Sequence, residues 1–250
     1  MENNFYHTIY GINNCISYLK SDYFLESSII SINNKSVASK HKELLAIISQ
    51  INNVKYFNPE KFKSKFNFKH DQGIVIIFKG SLTKEIDDIN HFSKNSCYLI
   101  CDQINDPQNL GQILRTSECA GIDGIILPKH GSVHVTDSVI QVSQGALFYS
   151  NIFIETNLNN TIKYLKSKGF WIIGIENSIE ANDWYTMDYK GKIAIVLGSE
   201  GKGIRNLVKK SCDFLATIPM RGKINSLNVT AAVSAVLFER QRQLQSINKI

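Results

Sequence analysis

The chain has 250 residues, 43% hydrophobic and 20% charged, an ordinary globular composition that excludes collagen-like, coiled-coil and disordered classes. Lys and Arg number 28 against 22 Asp and Glu, and the net charge of +6 permits a nucleic-acid partner without establishing one. No apolar run reaches the ~18 residues of a membrane span, and the polar start MENNFYHTIYGINN lacks the apolar stretch of a secretory signal, so a soluble, cytoplasmic protein is expected.

In chain order, Ser28–Ile32 reads as a short strand. Lys40–Ile51 reads as a helix, with Leu44, Leu45, Ile47, Ile48 and Ile51 at helical spacing, and Gly73–Phe78 as a buried strand. Between them Lys61, Lys63, Lys65 and Lys69 alternate with Phe62, Phe66 and Phe68. That pattern fits either a base-stacking, phosphate-binding surface or a strand with Phe inward and Lys in water. Residues 79–94 are polar and short of large apolar side chains, and read as a linker between an N-terminal domain (1–78) and a second domain (95–250).

In the second domain Cys97–Cys101, Asp123–Leu127, Trp171–Ile175 and Ile193–Leu197 read as strands. Asn109–Ala120, Thr161–Lys168 and Val229–Gln243 read as helices. Strands such as IAIVL are apolar on both faces, which predicts an α/β fold with a parallel sheet covered by helices. The five cysteines are scattered, and Cys97 and Cys101 lack zinc-site spacing. All five read as small hydrophobes in a reducing compartment.

Three segments carry polar residues that folding alone does not require. They are Asp106-Pro107-Gln108-Asn109-Leu110-Gly111 running on to Arg115-Thr116; Leu197-Gly198-Ser199-Glu200-Gly201-Lys202-Gly203; and Ile218-Pro219-Met220 followed by Ser226-Leu227-Asn228 ahead of a helix. Asn109 is expected to cap its helix, with Gln112 completing a capping box. Arg115 would pair with Glu118 if it served structure only. Asn228 is a second expected cap, and capping explains Asn228 but not Ser226 as well. The Gly-rich loop has neither P-loop nor Rossmann spacing, which argues against a nucleotide-dependent enzyme.

In this order the three segments resemble the signature motifs of the SpoU (TrmH) family of RNA ribose 2′-O-methyltransferases, of the SPOUT class, over residues 95–245. Ile9-Tyr10-Gly11-Ile12 and His70-Asp71-Gln72-Gly73 look like the limits of the L30e-like substrate-binding domain of its longer members. The arrangement most resembles those that methylate a guanosine of 23S rRNA. The resemblance implies a trefoil-knotted parallel sheet, S-adenosylmethionine as cofactor, structured RNA as partner and a homodimer. It makes Asn109, Arg115, Glu200, Ser226 and Asn228 catalytic, and assigns the cofactor to Leu197, Gly198, Gly203, Ile218, Met220 and Leu227. Arg115 would be either a base or, since arginine stays protonated, a phosphate and alkoxide clamp. Methyl transfer from a sulfonium requires no metal, and His130 and His134 lack an acidic third ligand. Transfer RNA is the alternative substrate, and a non-catalytic RNA-binding protein the alternative function.

Overall fold

The computed structural model describes residues 5–89, 92–178, 181–199 and 201–247. The strands are β1 (Phe5–Tyr10), β2 (Ile29–Asn33), β3 (Val54–Phe57), β4 (Ile74–Gly80), β5 (Cys97–Asp102), β6 (Gly124–Pro128), β7 (Ile152–Glu155), β8 (Trp171–Ile175), β9 (Asn182–Asp183), β10 (Ile193–Gly198) and β11 (Phe214–Thr217). The helices are α1 (Ile12–Lys20), α2 (Lys42–Ile48), α3 (Pro59–Lys65), α4 (Pro107–Cys119), α5 (Asp137–Ser143), α6 (Leu158–Ser167), α7 (Asn206–Lys210) and α8 (Val229–Ile247). They fall into two compact units. One runs to Leu82 and includes Val135–Tyr149; the other holds Thr83–His134 and the chain from Ser150.

The first unit is a four-stranded sheet ordered β1-β4-β2-β3, with β4 antiparallel to β1 and β2, and β2 parallel to β3. Ile9, Ile30, Ile32, Ile74 and Ile76 are buried in it, and Tyr18 of α1 stacks on Phe78 with ring centroids 4.2 Å apart. The Lys/Phe segment corrects both sequence expectations, because it forms the helix α3 rather than a strand. Asn58 caps α3 by accepting from Lys61 N at 2.9 Å and Pro59 occupies its first turn, so the start is strongly specified. Phe62 and Phe66, one turn apart, are 2% and 5% exposed, while Lys61, Lys63 and Lys65 face solvent.

The second unit is a seven-stranded sheet ordered β7-β6-β5-β10-β8-β11-β9, with every neighbouring pair parallel. All six residues of β5 and all five of β6 are buried, as expected for strands covered on both faces. On one face Ile100, Ile126, Ile172 and Val196 pack with Ile162 and Leu165 of α6. Elsewhere in the unit α8 packs against α4 and buries Val233, Val236 and Leu237.

The limits of the units differ from those read in the sequence. Residues 83–89 belong to the second unit. Lys84 N donates to Ile152 O at 2.8 Å, Ile154 N donates to Lys84 O at 3.1 Å, and Ile86 enters the core. Conversely α5 packs on β1, with Thr8 N donating to Asp137 Oδ2 at 3.2 Å, so Val135–Tyr149 completes the first unit.

Candidate active site

The C-terminal ends of three parallel strands converge here. Gly198 pairs with Asp102 of β5, and Leu197 with Ile175 of β8. The chain then turns tightly, Gly203 N donating to Ser199 O at 2.9 Å. Two glycines permit this turn. A Cβ at Gly198 would overlap the Gly203 carbonyl. Gly203 itself has φ +65°, and a Cβ there would lie 2.7 Å from the Glu176 carboxylate. Glu176 Oε2 accepts from Ile204 N at 3.0 Å and anchors the end of the turn.

Below this turn lies a cavity of about 380 Å³, lined by Leu197, Gly198, Gly203, Ile218, Met220, Ser226 and Leu227. All six residues that the sequence assigns to the cofactor are therefore brought together, with Ser226 beside them. Glu176, Asn177 and Asn225 add polar groups to the wall, and Asn177 Nδ2 holds the Asn225 carbonyl at 2.7 Å. The volume falls within the ~300–1,000 Å³ typical of cofactor sites. Apolar Ile175, Ile218, Met220 and Val229 offer flat contact to a heteroaromatic ring, while Leu227 remains 43% exposed at the rim. The lining thus fits an adenosine-bearing cofactor.

A second cavity, of about 460 Å³, is lined by Gln103, Ile104, Asn105, Asp106, Asn109 and Lys202 and shares Ser199 and Gly201 with the first. Glu200, between those two residues, lies outside the described residues. Asn109 does not cap α4. Asp106 does, accepting from Gln108 N at 2.8 Å with Pro107 in the first turn. Asn109 is instead one turn inside the helix and buried, and its Oδ1 accepts from Asn228 Nδ2 at 3.3 Å. Asn228 is the expected cap of α8, accepting from Thr230 N at 2.8 Å. One amide pair therefore joins the first and third motifs. Arg115 is exposed, lines neither cavity and makes no ion pair with Glu118 or any other described residue.

Sequence reading missed Glu176 and the pair Asp102–Arg205. Asp102 is fully buried, and its carboxylate accepts from both the main chain and the guanidinium of Arg205. Asp102 ends an otherwise apolar strand, the signal that would have marked it. Among the described residues no group of three or more His, Cys, Asp or Glu is placed to hold a metal, and no helix is long and apolar enough to cross a membrane. Cys15, Cys97 and Cys101 are buried as the sequence suggests, whereas Cys119 is exposed.

Residues 96–238 match the SpoU rRNA Methylase family. The chain belongs to this family. Among SpoU relatives, the TrmH-family tRNA/rRNA methyltransferase YacO of Bacillus subtilis is 31% identical over 96% of this chain and 97% of its own length. A TrmH-family tRNA/rRNA methyltransferase of Staphylococcus saprophyticus is 46% identical over 146 residues, a stretch covering 58% of each chain. The solved AdoMet-bound rRNA methyltransferase from Sinorhizobium meliloti superposes with a TM-score of 0.78 at 23% identity, over 96% of this chain and 88% of that one. The SpoU methyltransferase AviRb from Streptomyces viridochromogenes, in complex with AdoMet, gives 0.78 at 18% identity, over 96% and 90%. At these identities the structures establish a common SpoU fold.

Proposed function

We propose that this SpoU-family protein transfers a methyl group from S-adenosylmethionine to a ribose 2′-hydroxyl of structured RNA, a guanosine of 23S rRNA, as a cytoplasmic homodimer. The observation that carries it is the Asn109–Asn228 bond at the meeting of two adjacent cavities, one apolar and cofactor-sized, the other polar. When bound, the cofactor supplies an electrophilic methyl carbon whose leaving group is a neutral thioether. Main-chain groups of Gly198, Ile218 and Leu227 hold the adenosine, and Leu197, Gly203 and Met220 flank it. Asn109, Ser226 and Asn228 orient the reacting hydroxyl, and positioning of this kind supplies most of the rate in a direct displacement.

Glu200 joins this set through the loop it shares with Ser199. Arg115 stabilises the developing alkoxide or grips the neighbouring phosphate across the dimer interface, consistent with its exposure outside its own chain's cavities. The first unit, with the lysine face of α3, serves as the L30e-like RNA-binding domain. A trefoil knot at the C-terminal end of the second sheet belongs to the same proposal.

Titration calorimetry with S-adenosylmethionine is the direct test, and absence of binding at millimolar cofactor defeats the enzymatic reading. Mapping ribose methylation in total RNA from cells lacking the protein identifies the target. The tRNA/rRNA naming of its relatives makes transfer RNA the second reading. Loss of a tRNA methyl group with all 23S rRNA methyl groups retained would select it.

A further inference from the structure

Gln103 follows β5 directly and has φ +65°, in the left-handed region that a residue with a Cβ enters only at a cost. Glycine would adopt this turn without strain. The Gln103 side chain is half-buried, lines the second cavity and makes no hydrogen bond with another described residue. Helix and sheet packing therefore give no reason for a glutamine here. Strain held at a cavity wall, together with an amide that has no partner in the fold, is the pattern of a ligand-facing group.

If, as proposed above, the first cavity takes the methyl donor, the neighbouring cavity must take the nucleotide that carries the hydroxyl. We infer that the second cavity seats the unstacked base of the target nucleotide, and that Gln103 reads its Watson–Crick edge. A carboxamide donates from Nε2 and accepts at Oε1, so it complements a base presenting a carbonyl beside a ring N–H. Guanine offers O6 with N1–H, and uracil O4 with N3–H. Splayed bases of single-stranded RNA are commonly read on this edge. Around the same cavity Asp106 adds an acceptor and Lys202 a cation suited to the adjoining phosphate. Ser199 and Gly201, common to both cavities, set base and methyl donor on either side of one turn.

The test uses Gln103→Gly and Gln103→Glu in the full-length protein, with an RNA oligonucleotide spanning the mapped methylation site. Gln103→Gly removes the amide while relieving the backbone, so it should melt no lower than wild type and bind S-adenosylmethionine unchanged. Its KM for RNA should rise roughly tenfold, the scale of a lost bidentate base contact, with kcat changing less. Gln103→Glu cannot donate to the carbonyl and should lose at least as much. Oligonucleotides with guanosine, uridine, adenosine or cytidine at the target should be discriminated by wild type and poorly by Gln103→Gly. A guanosine or uridine preference identifies which carbonyl-bearing base is read. Wild-type KM and base preference in Gln103→Gly would overturn the inference, as would a lower melting temperature or weakened cofactor binding. No transfer to RNA by the wild-type protein would overturn the methyl-transfer reading and this inference together.

Discussion

The Asp102–Arg205 pair ties the end of β5 to the loop after β10 across 103 residues of sequence. Arg205 reaches the buried carboxylate with its main-chain N at 2.8 Å, its Nε at 2.7 Å and its Nη2 at 2.7 Å. Because the two strands are adjacent, this clamp fixes the turn that walls both cavities.

Arg205→Ala should therefore destabilise the protein. It leaves Asp102 ionised and buried with one main-chain donor. Breaking a fully buried pair costs about 3–5 kcal/mol, and the partial exposure of Arg205 places this one at about 2–3 kcal/mol. Arg205→Lys should recover only part of the loss, since a lysine has no fork for two parallel bonds. Urea denaturation measures both, and an Arg205→Ala midpoint equal to wild type would show the clamp to be dispensable.

Asn228 does two things through one amide, and substitution separates them. Its Oδ1 caps α8 and its Nδ2 donates to Asn109. Asn228→Asp keeps an acceptor for Thr230 N at a helix N-terminus, where negative charge is favourable, so stability should change by less than about 1 kcal/mol. It also turns an oxygen toward Asn109 Oδ1, and methyl transfer should fall at least roughly tenfold if this pair orients the hydroxyl. Full activity in Asn228→Asp would reduce Asn228 to a cap.

The strands of the second sheet were legible because a strand buried on both faces writes itself as an unbroken apolar run, as in Ile193–Leu197. The cofactor set was legible because its residues cluster in two short loops. The helix α3 was not, since Lys and Phe alternate with the period of a strand. The deciding signals were Asn58-Pro59 and the four-residue spacing of Phe62 and Phe66. Asn109 was misread as a cap for a similar reason, because Asp106-Pro107 supplies a better one three residues earlier. Glu176 and the docking of α5 on β1 depend on contacts between distant segments, which no local pattern encodes.

Stability should fall as pH rises above 9. Burial pushes the Cys97 and Cys101 thiols from 9.0 up to about 12 and raises Cys15 in the same direction. Burial also raises Tyr18, Tyr98 and Tyr189. Between pH 9 and 12 the unfolded chain loses thiol protons that the folded chain keeps, so it binds fewer protons and unfolding is favoured. Each buried thiol contributes about 1.4 kcal/mol per pH unit once its unfolded counterpart is ionised. Urea midpoints at pH 7, 9 and 10.5 should show a plateau and then a decline. A flat profile would show that these thiols ionise without unfolding.

Changing Lys61, Lys63 and Lys65 together to Ala should leave the fold intact, because Phe62 and Phe66 alone anchor α3 to its sheet. If this face binds RNA, affinity should drop and its salt dependence should flatten by about 0.7–0.9 for each phosphate contact removed. Cofactor affinity should not move. Filter binding between 50 and 200 mM salt reads the slope, and an unchanged slope assigns the three lysines to ordinary solvated surface.

The last prediction concerns Arg115 and the homodimer. Asn109 and Arg115 are six residues apart on α4, a rotation that separates their side chains by roughly 120°. The structure shows the consequence: Asn109 is buried at the second cavity while Arg115 points to solvent without a partner among the described residues. One chain does not bring both to a single hydroxyl, but a second copy can supply the arginine. Arg115→Ala should then abolish transfer while leaving cofactor binding intact. Gly198→Ala forces a Cβ into the Gly203 carbonyl, so it should distort the turn and abolish cofactor binding. Each variant is inactive alone. Mixed dimers contain one site with an intact cofactor cavity and an intact arginine from its partner, and should recover up to half the wild-type number of working centres. Sites complete within one chain would recover none. Absence of recovery, with the heterodimer verified by native mass spectrometry, would confine Arg115 to its own subunit.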